Sequence, residues 1–166
     1  LQDLIDGPAG GMKGGRQLKA VIPGGSSSKV LLPDQVKRVT MDTPGIGAEG
    51  SSLGSAAIIV LDETVDMVDA LLNLMTFYAH ESCGQCTPCR EGTPWIVQIL
   101  QRFMDGKGRV EDLDLLDDLA VNIEGRTVCA LADGACWPLT SIIKKFRHEF
   151  VAKVPGAGAP VEAATA

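Results

Sequence analysis

No uninterrupted apolar run in these 166 residues approaches the roughly 20 that cross a bilayer, so direct membrane insertion is not expected. Basic residues are in deficit. Fifteen Lys and Arg stand against 21 Asp and Glu, and the net charge of −6 argues against a nucleic-acid binder. Nothing resembling a signal peptide opens the chain, and five cysteines is an odd number, so a disulfide framework from an oxidising compartment is not supported. The Gly24-Gly25-Ser26 stretch lacks both the Gly-Lys-Ser/Thr ending and the helix start of a phosphate loop; it reads as a tight strand connection. An initiating Met is also missing. The chain begins at Leu1 in mid-pattern and reads as a piece of a longer polypeptide.

What the sequence does contain is Cys83-Gly84-Gln85-Cys86-Thr87-Pro88-Cys89. Cysteines at two-residue intervals let one curled loop aim three sulfurs at a single point. Gly84 permits the positive φ that tight curling needs, and Pro88 fixes a second bend. Thiolates so spaced are the usual holders of an iron–sulfur cluster, and the familiar bacterial run adds a fourth cysteine three residues further on. Thr93 occupies that position here, which leaves Cys129 or Cys136 to close the set. A structural zinc site competes for the same cysteines. Zinc, however, usually takes two separated Cys-x-x-Cys pairs, or one pair with histidines. Three neighbouring ligands and a remote fourth suit the corners of a cubane better.

The length suits one ordinary domain or two small ones, and the pattern is α+β. Residues 1–61 carry strand and turn signals: a strand from Leu18 to Ile22, a loop from Pro23 to Ser28, an extended piece at Val30-Leu31-Leu32-Pro33, turns from Pro44 to Gly54, and a buried strand from Ser55 to Leu61. From Asp62 the period changes from two to 3.6. A helix capped by Asp62 or Thr64 presents Val65, Val68, Leu71, Leu72, Met75 and Tyr78 or Ala79, and runs into the cysteine loop. Thr93-Pro94 then signals a second helix with Trp95, Ile96, Ile99, Leu100 and Phe103 inward; a third spans about Val110 to Glu124 and stops at Gly125. Pro138 signals a fourth, through Leu139, Ile142, Ile143, Phe146 and Phe150. Four amphipathic helices with short connections predict a four-helix bundle over residues 62–153, with a disordered tail over 154–166.

In that layout a cluster staples one end of the bundle, so its loss is expected to loosen helix packing as well as abolish redox activity. Arg90 stands beside the loop either as a group that raises the potential or as a surface ion-pair partner of Glu91. His80 reads as a helix-end residue rather than a ligand. Trp95 and Trp137 are expected in the core, and Glu111, Asp112, Asp114, Asp117 and Asp118 as a solvated helix face.

The run Glu81-Ser82-Cys83-Gly84-Gln85-Cys86-Thr87-Pro88-Cys89-Arg90-Glu91-Gly92, followed by Cys129 and by Trp137-Pro138, closely resembles the flavoprotein subunit of respiratory NADH:quinone oxidoreductase, complex I. Flavin-carrying subunits of NAD-linked hydrogenases and formate dehydrogenases share the motif. Lys19-Ala20-Val21-Ile22-Pro23-Gly24-Gly25-Ser26-Ser27 and Gly54-Ser55-Ala56 look like that family's small ubiquitin-like β-grasp domain. The resemblance implies a [4Fe–4S] cluster on Cys83, Cys86, Cys89 and Cys129, relaying single electrons from FMN reduced by NADH. It implies that FMN and NADH bind to a glycine-rich segment upstream of this chain, so this piece alone relays electrons rather than oxidising NADH. It further implies partners in a small [2Fe–2S] subunit and a large multi-cluster subunit, and a peripheral place on the cytoplasmic face of the membrane. Cys136 stands where the family commonly has a small residue and reads as a buried spare thiol.

Overall fold

The computed structural model describes residues 1–156; the tail expected to be disordered falls largely on 157–166, outside the described residues. Short elements come first: α1 (Gln2–Asp6), strand β1 (Leu18–Ile22), α2 (Pro33–Arg38), α3 (Thr43–Ala48) and strand β2 (Ile59–Asp62). Four longer helices follow, α4 (Met67–Glu81), α5 (Thr87–Met104), α6 (Glu111–Ile123) and α7 (Leu131–Ala152). The class is α+β.

β1 forms over the five residues its pattern predicts, because Leu-Lys-Ala-Val-Ile is β-branched and apolar at its C-terminal end. It pairs antiparallel with β2, Ala20 opposite Leu61 and Ile22 opposite Ile59, with an irregularity between Leu18 and Ala20. On the other side, Val21 bridges to Leu31. The two faces of β1 then serve two cores, as a period of two requires. Ala20 and Ile22 join the large helical core, while Val21 joins a smaller one with Ile5, Leu31, Val36 and Ile46. The next extended piece repeats the division: Val30 goes to the helices and Leu31 to the small core.

β2 is shorter than its sequence signal and is not buried. Ile59 is 38% exposed and Val60 36%, because among the described residues this sheet has only two strands and β2 is its outer one. The turn-rich stretch from Pro44 also departs from expectation. It contains α3, started by Asp42, whose side chain accepts the Gly45 N–H. α2 was likewise unexpected; Pro33 near its first position supplies the fixed φ.

The four long helices pack as neighbours α4–α5, α4–α7, α5–α6 and α6–α7. Met67, Leu71, Met75, Ile96, Leu100, Phe103, Leu113, Leu116, Ile142 and Phe150 are fully buried between them. Phe103 and Phe150 meet edge to face at 5.6 Å. Asp66 caps α4, accepting from the Val68 and Asp69 N–H groups; Asp62 instead accepts from Thr64 and pairs with Arg16. The Asp66 cap lies two residues beyond Thr64 and four beyond Asp62, the expected positions, and Glu149 of α7 also reaches the α4 start, accepting the Met67 N–H. Lys19 of β1 bridges Glu149 and the Val65 carbonyl, and Lys145 of α7 donates to the Val30 carbonyl. The strand-bearing and helical parts are thus joined by partly buried polar contacts as well as by shared apolar ones.

Two helices begin earlier than predicted. α5 starts at Thr87, so Thr93-Pro94 lies inside it, and α7 starts at Leu131, so Pro138 lies inside that one. Each proline removes the N–H that would bond the carbonyl four residues back, Arg90 for Pro94 and Gly134 for Pro138; beside them the Thr93 and Thr140 hydroxyls donate to the Cys89 and Cys136 carbonyls. Neither tryptophan is core. Trp95 is 52% exposed, and Trp137 is half-buried with its indole N–H donating to Glu124. Asp112 is not on a solvated face either; it is fully buried and accepts from Arg102, Arg109 and the Arg109 backbone N–H.

At Gly92 α5 passes close to the end of α6, since a Cβ there would lie 2.5 Å from Ile123 Cδ1 and 2.9 Å from Cγ1. The Cδ1 can swing aside, but the β-branched χ1 of a helical Ile is stiff. A Gly92→Val chain is expected to lose about 1–3 kcal/mol to overpacking, read as a lower midpoint in denaturant unfolding. Unchanged stability would show that the two helices do not meet there.

Candidate metal centre

The chain leaves α4 at Ser82, whose extended backbone (φ −61°, ψ 122°) ends the helix immediately before Cys83. Gly84 follows at φ +80°, a left-handed turn that a side chain would strain. Its N–H donates to the Ser82 hydroxyl at 3.4 Å, and its carbonyl accepts from the Arg90 guanidinium at 2.8 Å. Arg90 also reaches Thr87 Oγ1 and pairs with Glu91 at 2.8 Å, so it is both the predicted ion-pair partner and a clamp across the loop.

Cys86 is the N-cap of α5 and Cys89 lies in its first turn. That spacing sets two sulfurs one above the other at the start of one helix. Pro88, in the first turn, sits where its missing N–H leaves nothing unpaired. The fourth cysteine arrives from the other side. α6 stops before Gly125 (φ +70°), whose N–H donates to Asp133. The Thr127 hydroxyl then donates to the Cys129 carbonyl, and the Val128 N–H points at Cys86 Sγ at 3.4 Å. α7 begins directly after, with Ala130 at its N-cap.

Cys83, Cys86, Cys89 and Cys129 therefore line one recess, together with Ser82, Thr127, Leu131 and Ala132. Cys83 and Cys129 are exposed, Cys86 is half-buried and Cys89 buried; none is in a disulfide. The space between them is small and opens to solvent. Among the described residues no three His, Cys, Asp or Glu donors gather closely enough for a single ion. The sulfurs instead ring a space. Its wall holds four thiols and neither carboxylate nor imidazole, the soft donor set that holds iron–sulfur clusters and that zinc also accepts. The N-terminal ends of α5 and α7 flank it, and helix N-termini favour the negative charge that thiolates carry.

The remaining expectations sort cleanly. His80 is a helix-end residue, 84% exposed at its side chain and paired with Glu81. Cys136 does not line the recess; it is fully buried in α7 and points at the Ala120 carbonyl at 3.7 Å. Ser82, 3.2 Å from Cys89 Sγ, went unnoticed in the sequence. The signal that could have found it is its place at the junction of a helical period with a cysteine run.

Residues 69–153 match the family described as NADH-ubiquinone oxidoreductase-F iron-sulfur binding region, which is just over half of the chain, and the chain belongs to that family. The cofactor of this region is a [4Fe–4S] cluster. The chain is 44% identical over 155 residues to an F-type subunit of the NADH-quinone oxidoreductase of Rhizobium meliloti, and 48% identical over 164 residues to its counterpart in Streptomyces coelicolor. These matches cover 93% and 99% of this chain and 36% of each relative. The mitochondrial 51 kDa subunit of Neurospora crassa NADH-ubiquinone oxidoreductase is 45% identical over 93% of this chain and 31% of its own length. The chain thus spans about a third of the curated relatives it matches. Among solved structures, an NAD+-reducing [NiFe]-hydrogenase in the H2-reduced state aligns with TM-score 0.74 and 27% identity, over 85% of this chain and 24% of the other.

Burial pushes the Cys136 thiol from 9.0 up to about 12, with Glu124 and Asp133 adding to the rise. Between those values the unfolded chain ionises this thiol and the native one does not, so native stability is expected to fall as pH rises from about 9 towards 12. At pH 8, alkylation by iodoacetamide should spare Cys136 in the native chain and reach it after denaturation. Rapid native labelling mapped to Cys136 by mass spectrometry would contradict its burial.

Proposed function

We propose that this chain is the cluster-bearing part of an F-type subunit of NADH-quinone oxidoreductase. In this reading Cys83, Cys86, Cys89 and Cys129 hold a [4Fe–4S] cluster, and the chain passes single electrons from FMN, bound elsewhere in the subunit, to the next iron–sulfur subunit. The observation that carries the reading is the recess. A cysteine triple and a cysteine some forty residues later line one cavity, within a segment of an iron–sulfur binding family. When bound, such a cluster takes up and gives on one electron at a time. The chain's own part is positional. Three sulfurs come from the α4–α5 connection and one from the α6–α7 connection, Leu131 and Ala132 exclude water from one wall, and Arg90 holds the loop closed.

Residues 1–61 are read as a β-grasp unit, on the support of the antiparallel β1–β2 pair with α2 against β1. Residues 62–153 are read as a four-helix bundle carrying the cluster. FMN and NADH belong to a part of the subunit outside these residues, and the partners are a small [2Fe–2S] subunit and a large multi-cluster subunit. The complex holds the chain at the inner face of the membrane; no helix among the described residues is long and apolar enough to cross it. The hydrogenase relationship gives a second reading, as a flavin-subunit segment of an NAD-linked hydrogenase. The greater identity to the oxidoreductase subunits, 44–48% against 27%, favours the first.

Anaerobically purified protein should contain about four irons and four sulfides per chain and develop an electron paramagnetic resonance signal on reduction. Single Ser replacements at Cys83, Cys86, Cys89 or Cys129 should cost the intact cluster, while Cys136→Ser should keep it. Full iron in Cys129→Ser with loss in Cys136→Ser would overturn the ligand set. One zinc without sulfide or signal would make the site a structural staple.

A further inference from the structure

We infer that Ser82 is a positioning residue of this site, whose hydroxyl fixes the Cys89 sulfur and raises the potential at which the site accepts an electron. The inference rests on the ligand set proposed above. Ser82 Oγ lies 3.2 Å from Cys89 Sγ, and the same oxygen accepts the Gly84 N–H at 3.4 Å. A hydroxyl has one hydrogen and two lone pairs. Gly84 takes a lone pair, which leaves the hydrogen free for the sulfur. A metal-bound Cys89 thiolate carries no proton to donate, so in the loaded site the direction is fixed as O–H to sulfur. The proton stays on oxygen throughout; no bond is made or broken.

The position of Ser82 is distinctive. Thr127, the other hydroxyl in the recess wall, donates to a backbone carbonyl rather than to a sulfur. Cys86 receives a backbone N–H, from Val128. Among the described residues, Ser82 is the one side chain that hydrogen-bonds any of the four sulfurs. A hydrogen bond to a ligating sulfur favours the more negative, reduced state and moves the potential upward. Because the same oxygen also holds Gly84, it steadies the left-handed turn that presents Cys83, while Arg90 grips the Gly84 carbonyl from the opposite side.

The test is a potentiometric titration followed by electron paramagnetic resonance on the full chain, unsubstituted and as Ser82→Ala and Ser82→Thr, with iron and sulfide assayed on each. Ser82→Ala is expected to keep its cluster and show a more negative midpoint; Ser82→Thr, which retains the hydroxyl, is expected to return the midpoint. A fully loaded Ser82→Ala chain with an unshifted midpoint would overturn the inference. Should Ser82→Ala lose iron, Ser82→Thr decides: recovery of both iron and midpoint sustains the role, and failure to recover overturns it. Absence of iron and sulfide from the unsubstituted chain would overturn the ligand set itself, and the role of Ser82 with it.

Discussion

The helical half of this protein depends on holding the connection after α4 against the connection after α6. Neither connection has apolar content enough to fix itself. Each is short, polar and partly exposed, and each is set in place by the helix that follows it. α5 begins at the second cysteine and α7 begins two residues after the fourth, so the starts of two packed helices are also the walls of the recess. The core made by Leu71, Met75, Ile96, Leu100, Leu116 and Ile142 therefore acts on the site at a distance. Gly92, one turn into α5 beyond Cys89, lets α6 come close enough to deliver its C-terminal end to the same place.

The strand-bearing part is tied into the same arrangement rather than appended to it. β1 contributes one face to each core, and Val30 and Leu31 do the same on the next pass of the chain. Val30 N–H bonds the Ser141 hydroxyl of α7, while Ser26 and Tyr78 join the loop after β1 to α4. Gly134, in the first turn of α7, leaves room for that loop, since a Cβ would stand 3.1 Å from Ser27. An early segment of the chain thus buttresses the helix whose first turn faces the recess.

Much of the site was legible in the sequence, and the reason is local. Cys83, Cys86 and Cys89 belong to one loop, and their spacing alone states their convergence. Cys129 could be separated from Cys136 only by knowing which loops meet, which is tertiary information; spacing left both open. The same division runs through the fold. Leu18–Ile22 and the third helix were readable because a period and its stop signals coincided, as at Gly125. The starts of α5 and α7 differ from expectation because a Thr-Pro or Trp-Pro pair inside a helix looks like a pair that begins one. Trp95 followed the apolar stripe in sequence but fell on its rim, and Asp112 hid among exposed acids because its two arginine partners are invisible to a pattern on α6 alone.

The separation of Cys89 from Cys129 also has a meaning in time. The two stand some forty residues apart, and synthesis proceeds at about 5–20 residues per second. For several seconds of every round of translation, the three-thiol loop exists without the stretch of chain that brings the fourth. In that interval it is an open chelate, with Cys83 at the surface and no α7 to wall it. The order of residues therefore means that the fourth thiol can join the other three only once the two connections have met.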